Sequence, residues 1–138
     1  MQSIQEVMTP NPVTFSAAAP ITDAARAMRD SGVGDVLVER DGVVCGIVTD
    51  RDIVVRVVAE DCDLNLVSLG DICTGTLVAL SPTDSVEDAV RLMRTEALRR
   101  LPVCDDGHPV GIVSLGDLAV ERDPGSVLAD ISAARPTS

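Results

Sequence analysis

The chain has 138 residues, with 11 basic against 22 acidic side chains and a net charge of −11; every base is arginine, because lysine is absent. That removes Schiff-base lysine chemistry and the Gly-rich phosphate loop that ends in Lys-Ser/Thr. With Phe15 as the single aromatic residue, stacking platforms for single-stranded nucleic acid cannot be built, and the net charge of −11 argues further against DNA or RNA.

His108 is the only histidine and sits in a turn-like Gly107-His108-Pro109 context, so His-based acid-base chemistry has little to work with. Cys45, Cys62, Cys73 and Cys104 show no Cys-x-x-Cys spacing, so no metal site is expected. Cys45 and Cys104 read as small hydrophobes in apolar strands, and redox roles for Cys62 or Cys73 have no positive support in the sequence. The opening residues Met1 to Glu6 lack the basic and apolar regions of a signal peptide, and the most apolar run, Ile53 to Ala59, is short and broken by Arg56. A cytoplasmic protein with no membrane and no nucleic-acid partner is the expectation.

In chain order, a short helix near Ser3 to Met8 comes first. From there the chain repeats itself: Val7 to Val55 aligns with Ile72 to Val120 without a gap, keeping both turn glycines and both terminal aspartates. Val13 to Phe15 and Val78 to Leu80 read as short strands. Ile21, Ala24, Ala25 and Met28 recur at helical spacing, as do Val86, Ala89, Val90 and Met93, predicting two helices that face a core. Pro20 suits the first turn of one, Gly32 its end, and Asp84 with Glu87 the capping box of the other. Val36 to Val38 then runs through Asp41-Gly42 into Val43 to Val48, and Leu101 to Val103 runs through Asp106-Gly107 into Val110 to Val113; Asp-Gly between apolar runs predicts hairpins. A second helix starts at Thr49 or Ser114, with Ile53, Val54, Val57 and Val58 as the buried face of the first.

The predicted fold is therefore α+β, two pseudo-symmetric β-α-β-β-α units. Residues 7–60 form unit one, 61–71 a linker with a connecting helix, 72–123 unit two, and 124–138 a C-terminal segment and tail that is weakly periodic from Val127 to Ala134 and frayed at Arg135 to Ser138. Helix faces bearing Ile21 to Met28, Val86 to Met93 and Ile53 to Val58 exceed what a monomer covers, which predicts a homodimer.

The chemically suggestive elements are Gly46-Ile47-Val48-Thr49-Asp50-Arg51-Asp52 and Gly111-Ile112-Val113-Ser114-Leu115-Gly116-Asp117. Each puts a hydroxyl at a helix start and a carboxylate one turn later. A helix start offers orphan N–H groups to an anion, and the carboxylate can accept from vicinal ribose hydroxyls. The plain alternative is that Ser/Thr-x-x-Asp is only an acidic capping box.

Taken with Val7-Met8-Thr9-Pro10, Asp23-Ala24, Asp88-Ala89 and Arg99-Arg100-Leu101-Pro102-Val103, the duplicated motif resembles a tandem pair of CBS domains, the regulatory module of the cystathionine-beta-synthase type, as found in stand-alone prokaryotic CBS-domain proteins. The resemblance covers nearly the whole chain. It implies a noncatalytic sensor of this fold, often a homodimer, that binds AMP, ADP, ATP or a related adenosyl compound as a regulatory ligand in clefts drawing on both units, needs no cofactor, and signals to an unknown protein partner. One cleft would use Ser114, Asp117, the backbone near Ile112, and Arg100 with Arg99, with the base by Thr14 and Gly34. The other would use Thr49, Asp52, the backbone near Ile47, Arg51, and the strand around Ala79.

The two motifs are unequal in charge. Arg99 and Arg100 correspond to Gly34 and Asp35, and Arg51 to Gly116, so the Ser114 site is expected to be competent and the Thr49 site weak. A surface ion pair of Arg99 and Arg100 with Asp105 and Asp106 is the alternative for these arginines. A dimeric scaffold with vestigial sites is the competing function, and an enzyme is the least expected.

Overall fold

The computed structural model describes residues 2–73, 78–122 and 131. By contact the chain forms two compact units, Pro12–Leu77 and Met1–Asn11 with Val78–Ser138. We refer to them as the Thr49 unit and the Ser114 unit.

The Thr49 unit holds β2 (Thr14–Ser16), α2 (Ile21–Ser31), β3 (Asp35–Arg40), β4 (Val43–Thr49), α3 (Asp50–Ile53) running into a π-helical segment at Val54–Val58, and α4 (Leu69–Ile72). Its sheet has the order β2-β3-β4, parallel then antiparallel. The Ser114 unit holds α1 (Ile4–Val7), β1 (Thr9–Pro10), α5 (Val86–Glu96), β5 (Arg100–Asp105), β6 (His108–Ser114) and α6 (Leu115–Arg122), with sheet order β1-β6-β5. The β-α-β-β-α order expected from the repeat is present in the Thr49 unit, whereas in the Ser114 unit a single bridge at Leu80 stands in place of the first strand, and the fold is a mixed α/β arrangement with two small sheets.

The hairpins form where the Asp-Gly pairs predict. Asp41 and Gly42 have φ of 53° and 80°, and Asp106 and Gly107 have 52° and 84°, the double positive φ that matches a tight turn to strand twist. Each hairpin carries a bulge at the same place. Val38 pairs with Gly46 but Glu39 with Val44, so Cys45 is the extra residue; Val103 pairs with Gly111 but Cys104 with Pro109, so Val110 is its counterpart. Helices α2 and α5 bury three of the four residues of each predicted stripe, Ile21, Ala24 and Met28 in one and Val86, Ala89 and Met93 in the other, while Val90 is half-buried and Ala25, at the edge of its stripe, is exposed. Each stripe lies in a core of its own, with Val36, Val38, Val48 and Val57 in the Thr49 unit and Leu101, Val103, Val113 and Leu118 in the Ser114 unit.

The short helix that precedes each repeat packs on the unit built from the other repeat. Helix α1 docks in the Ser114 unit through Ile4 N–H to Asp84 O (2.8 Å) and Gln5 N–H to Pro82 O (3.1 Å). Helix α4 docks in the Thr49 unit through Leu69 N–H to Ala19 O (3.0 Å) and Gly70 N–H to Ala17 O (2.8 Å), the equivalent bonds. Ser3 and Ser68 cap them, and each bridges the N-cap of the long helix in its unit, Ser85 or Pro20.

Three local expectations change. The strand expected at Val78 to Leu80 is reduced to one bridge, Leu80 to Val103, whereas β2 pairs over three residues. The causes are Pro82 and Pro102: their counterparts Ala17 and Leu37 donate to Glu39 O and Val13 O, each at 2.8 Å, and a proline has no N–H to do so. The capping box of α5 is Ser85 with Asp88; Asp84 instead accepts from Ser81 N–H at 2.8 Å and closes the preceding turn. Finally, Val57 is buried and Ile53 half-buried as expected, but Val54 and Val58, expected on the same face, are 57% and 66% exposed, and Val55 beside them is 44% exposed. From Val54 the helix makes i→i+5 bonds, Ala59 N–H to Val54 O and Cys62 N–H to Val57 O, and the wider turn breaks the i, i+3, i+4 stripe. The predicted segment Val127 to Ala134 and the tail lie outside the described residues, apart from Ile131.

Candidate functional site

Both hydroxyl-carboxylate motifs fold into reciprocal caps. Ser114 Oγ accepts from Asp117 N–H at 3.1 Å while Asp117 Oδ2 accepts from Ser114 N–H at 2.9 Å. Thr49 Oγ1 accepts from Asp52 N–H at 3.1 Å and Asp52 Oδ2 from Thr49 N–H at 2.8 Å. The capping role proposed as the plain alternative is thus real at both places. It uses one carboxylate oxygen and the acceptor side of the hydroxyl. Oδ1 and the hydroxyl hydrogen are not consumed by the cap, so capping and ligand binding are compatible.

The surroundings then diverge. In the hairpin register Arg100 stands directly across from Ser114, and Asp35 directly across from Thr49. Side chains at directly opposed positions share a face of the sheet, so a guanidinium flanks the serine and a carboxylate flanks the threonine. Leu115 N–H donates to Arg99 O at 2.8 Å, which fixes Arg99 beside the start of α6; the equivalent bond runs from Asp50 N–H to Gly34 O at 3.0 Å. Arg99 and Arg100 are exposed, and Ser114 and Asp117 are half-buried. Since β5 spans Arg100 to Asp105 at about 3.3 Å per residue, the arginine end lies about 16 Å from the Asp105-Asp106 turn, too far for an ion pair with it.

The backbone donors differ as well. Asp50 Oδ1 accepts the Arg51 N–H at 2.8 Å, so the second N–H of α3 is already bound to a carboxylate. At α6 Leu115 stands in place of Asp50, and the Gly116 N–H meets no such acceptor. Asp52 also has a long ion pair, Oδ1 to Arg56 Nε at 3.9 Å, with side chains 22% and 47% exposed. An anion at the Thr49 motif would face Asp35, Asp50 and Asp52 with Arg51 and Arg56 in partial compensation. One at the Ser114 motif would face Asp117 as its one carboxylate, with Arg99, Arg100, the Ser114 hydroxyl and an uncommitted N–H around it.

Of the residues singled out from the sequence, Ser114, Asp117, Arg99, Arg100 and Ile112 come together in the Ser114 unit. Ile112 is half-buried in β6, opposite Pro102 on one side and Thr9 on the other. Ala79 lies in that unit too, exposed and just ahead of Leu80. Thr49, Asp52, Ile47 and Arg51 come together in the Thr49 unit, Ile47 half-buried opposite Leu37 and Arg51 exposed. Thr14 and Gly34 belong to this unit: Thr14 Oγ1 donates to Pro12 O at 3.1 Å, and a side chain on Gly34 would press on Asp50 Oδ2 at 3.2 Å. Asp50 is the contributor that sequence reasoning missed. Its signal was available, a carboxylate aligned with Leu115 in an otherwise matching motif. Among the described residues no group of three or more His, Cys, Asp and Glu side chains is placed to hold a metal ion. No helix among them is long and apolar enough to cross a membrane.

This architecture has close parallels. The chain is 39% identical over 136 residues to the CBS domain-containing protein YhcV of Bacillus subtilis (strain 168), covering 96% of each. A putative signal-transduction protein with CBS domains from Burkholderia ambifaria MC40-6 superposes with a TM-score of 0.78 at 25% identity, over 91% of this chain and 96% of that one. CBSX2, whose structure was solved in complex with AMP, gives a TM-score of 0.73 at 24% identity, over 88% and 96%. The CBS domain family model matches residues 4–59 and 69–122, one match per repeat. The chain belongs to the CBS domain family and carries two CBS domains in tandem, the arrangement of regulatory rather than catalytic modules.

Proposed function

We propose that the protein is a noncatalytic sensor of an adenine nucleotide or related adenosyl ligand, with the Ser114 motif as the binding site and the Thr49 motif weak or empty. The observation that carries this reading is the charge difference across an identical hairpin register, Arg100 against Ser114 and Asp35 against Thr49. Phosphate would take the Gly116 N–H, the Ser114 hydroxyl and the guanidinia of Arg99 and Arg100, and ribose would donate to Asp117 Oδ1. The AMP complex of CBSX2 supports the ligand class, since this fold accommodates that nucleotide there. A thermal-shift panel of AMP, ADP, ATP, adenosine and an adenosyl sulfonium compound tests it. Stabilisation by the phosphorylated members is the expected result, and no response to any member would overturn the reading.

A homodimer is proposed as the signalling form, because Val54, Val55 and Val58 expose an apolar face on the helix that follows Thr49. The competing scaffold function draws on the same face and on the caps, which give both aspartates a structural role without any ligand. The two readings part in the nucleotide panel, to which a scaffold is indifferent.

A further inference from the structure

The turn that follows the π-helical segment is built by its own hydrogen bonds and has an apolar tip. Asp63 Oδ1 accepts the Asn65 N–H and Asp63 O the Leu66 N–H, both at 2.9 Å, while Asp61 N–H to Val58 O at 3.1 Å and Cys62 N–H to Val57 O at 3.0 Å tie its base to the helix. Leu64 and Leu66 are nevertheless exposed, Leu66 by 80%, beside the exposed Glu60, Asp61 and Asp63. A bonded turn that holds two leucines in water already has its docking conformation, so little ordering cost remains to be met on binding. The Ser114 unit carries the complementary feature. Where the end of α5 meets the start of α6, Met93, Leu98, Leu115 and Leu118 line an open cavity of about 450 Å³ together with the exposed Arg94 and Arg99. The repeat supplies an internal comparison: Arg29, the counterpart of Arg94, is paired with Asp30 at 2.8 Å, and Gly34 and Asp50 stand in place of Arg99 and Leu115. Among the described residues Arg94 and Arg99 have no ion pair, and neither do Glu60 and Asp61.

We propose that the 63–66 turn of one copy of the chain seats Leu64 and Leu66 in this cavity of a second copy, with Arg94 and Arg99 meeting the acidic flank of the turn. A second copy is the occupant because knob and cavity lie on the same chain, and in a two-fold dimer such a contact is made twice. Each chain carries a net charge of −11, so two copies repel at long range, and a contact that holds them has to set opposite charges against each other. The acidic turn and the arginine-lined cavity do so. The inference rests on the homodimer reading for the identity of the partner. It is separable from the nucleotide reading, because Arg94, Leu64 and Leu66 stand outside the Ser114 motif.

The test is charge exchange between copies, read by sedimentation velocity of the full-length chain under reductant. Arg94→Glu and Glu60→Arg should each raise the dimer dissociation constant by about tenfold, because each sets like charges against each other at both contacts. An equimolar mixture of the two variants should regain the dimerisation of the wild type, since one contact is then native and the other has its charges exchanged; a contact within one chain gains nothing from mixing. In parallel, photolysis of the chain with Leu66 replaced by benzoylphenylalanine should give a covalent dimer whose crosslink maps to residues 90–99 or 115–118. A wild type that sediments as a monomer would remove the homodimer and this contact with it. A wild-type dimer whose crosslink falls elsewhere, or whose folded charge variants gain nothing on mixing, would overturn this contact and leave the homodimer standing. The crosslink changes no charged residue, so the test stands even where a charge variant fails to fold.

Discussion

Arg100 faces Ser114 across the β5-β6 ladder, and the equivalent pair in the other hairpin is Asp35 and Thr49. Two motifs that share a cap geometry to within a few tenths of an ångström therefore sit in opposite electrostatic settings. The two repeats share the scaffold of the motif and differ in the charge across from it.

The caps should be equal in stability even where the proposed sites differ in affinity. Asp52→Ala and Asp117→Ala each remove one reciprocal cap and should each cost about 1 kcal/mol in the absence of ligand. Urea denaturation of the two variants measures this. A cost confined to one of them would mean that the other aspartate is not acting as a cap.

Close packing at the β6 bulge makes a second prediction. A side chain on Gly111 would collide with Met8 Sδ and come within 3.0 Å of Thr9 O, where β1 pairs with β6. The backbone oxygen cannot move without loss of the ladder, so Gly111→Ala should destabilise by about 1–3 kcal/mol. The double variant Gly111→Ala, Met8→Ala should recover only part of that loss, because the Thr9 contact persists. Full recovery would show that the thioether alone sets the constraint.

Much of this was legible in the sequence for a physical reason: hairpin turns, helix stripes and caps are local, and each occurs twice. The Asp-Gly turns and the stripes of α2 and α5 are examples, and so is the contrast between Gly34-Asp35 and Arg99-Arg100. What was not legible depends on distant partners. The docking of α1 and α4 on opposite repeats arises from backbone bonds that carry no side-chain signature. Pro82 and Pro102 shortened a strand, because each lacks the N–H that its counterpart supplies in the other repeat. The π-helical segment turned valines that look like core to the surface.

Acid should loosen the start of α5 in a defined direction. The Ser85 backbone N–H and hydroxyl, with Arg91 nearby, hold the exposed Asp88 carboxyl below its ordinary range. A carboxylate depressed on folding stabilises the native state above its unfolded value near 4, and that stability is lost as pH falls through the lower, folded value. Asp88→Asn should therefore flatten the acid limb of the stability curve while leaving its shape near neutrality unchanged. An unaltered acid limb would assign the acid sensitivity to other carboxylates.

The exposed valines bear on assembly. Val54→Asp with Val58→Asp places charge on the apolar face without touching buried Val57. Sedimentation velocity at micromolar concentration should show a dimer for the wild type and a monomer for the variant. A wild-type monomer would remove the dimer from the account, and a variant that still dimerises would place the interface elsewhere.

The most direct measurement is calorimetric titration of AMP and ATP into the wild type, Asp117→Ala, Arg100→Ala and Asp52→Ala. Loss of the Asp117 acceptor or of the Arg100 phosphate contact should each weaken binding by about ten- to a hundredfold, while Asp52→Ala leaves the affinity nearly unchanged. Equal losses at Asp52 and Asp117 would contradict the inequality of the two sites, and a wild type that binds neither nucleotide would contradict the AMP and ATP assignment.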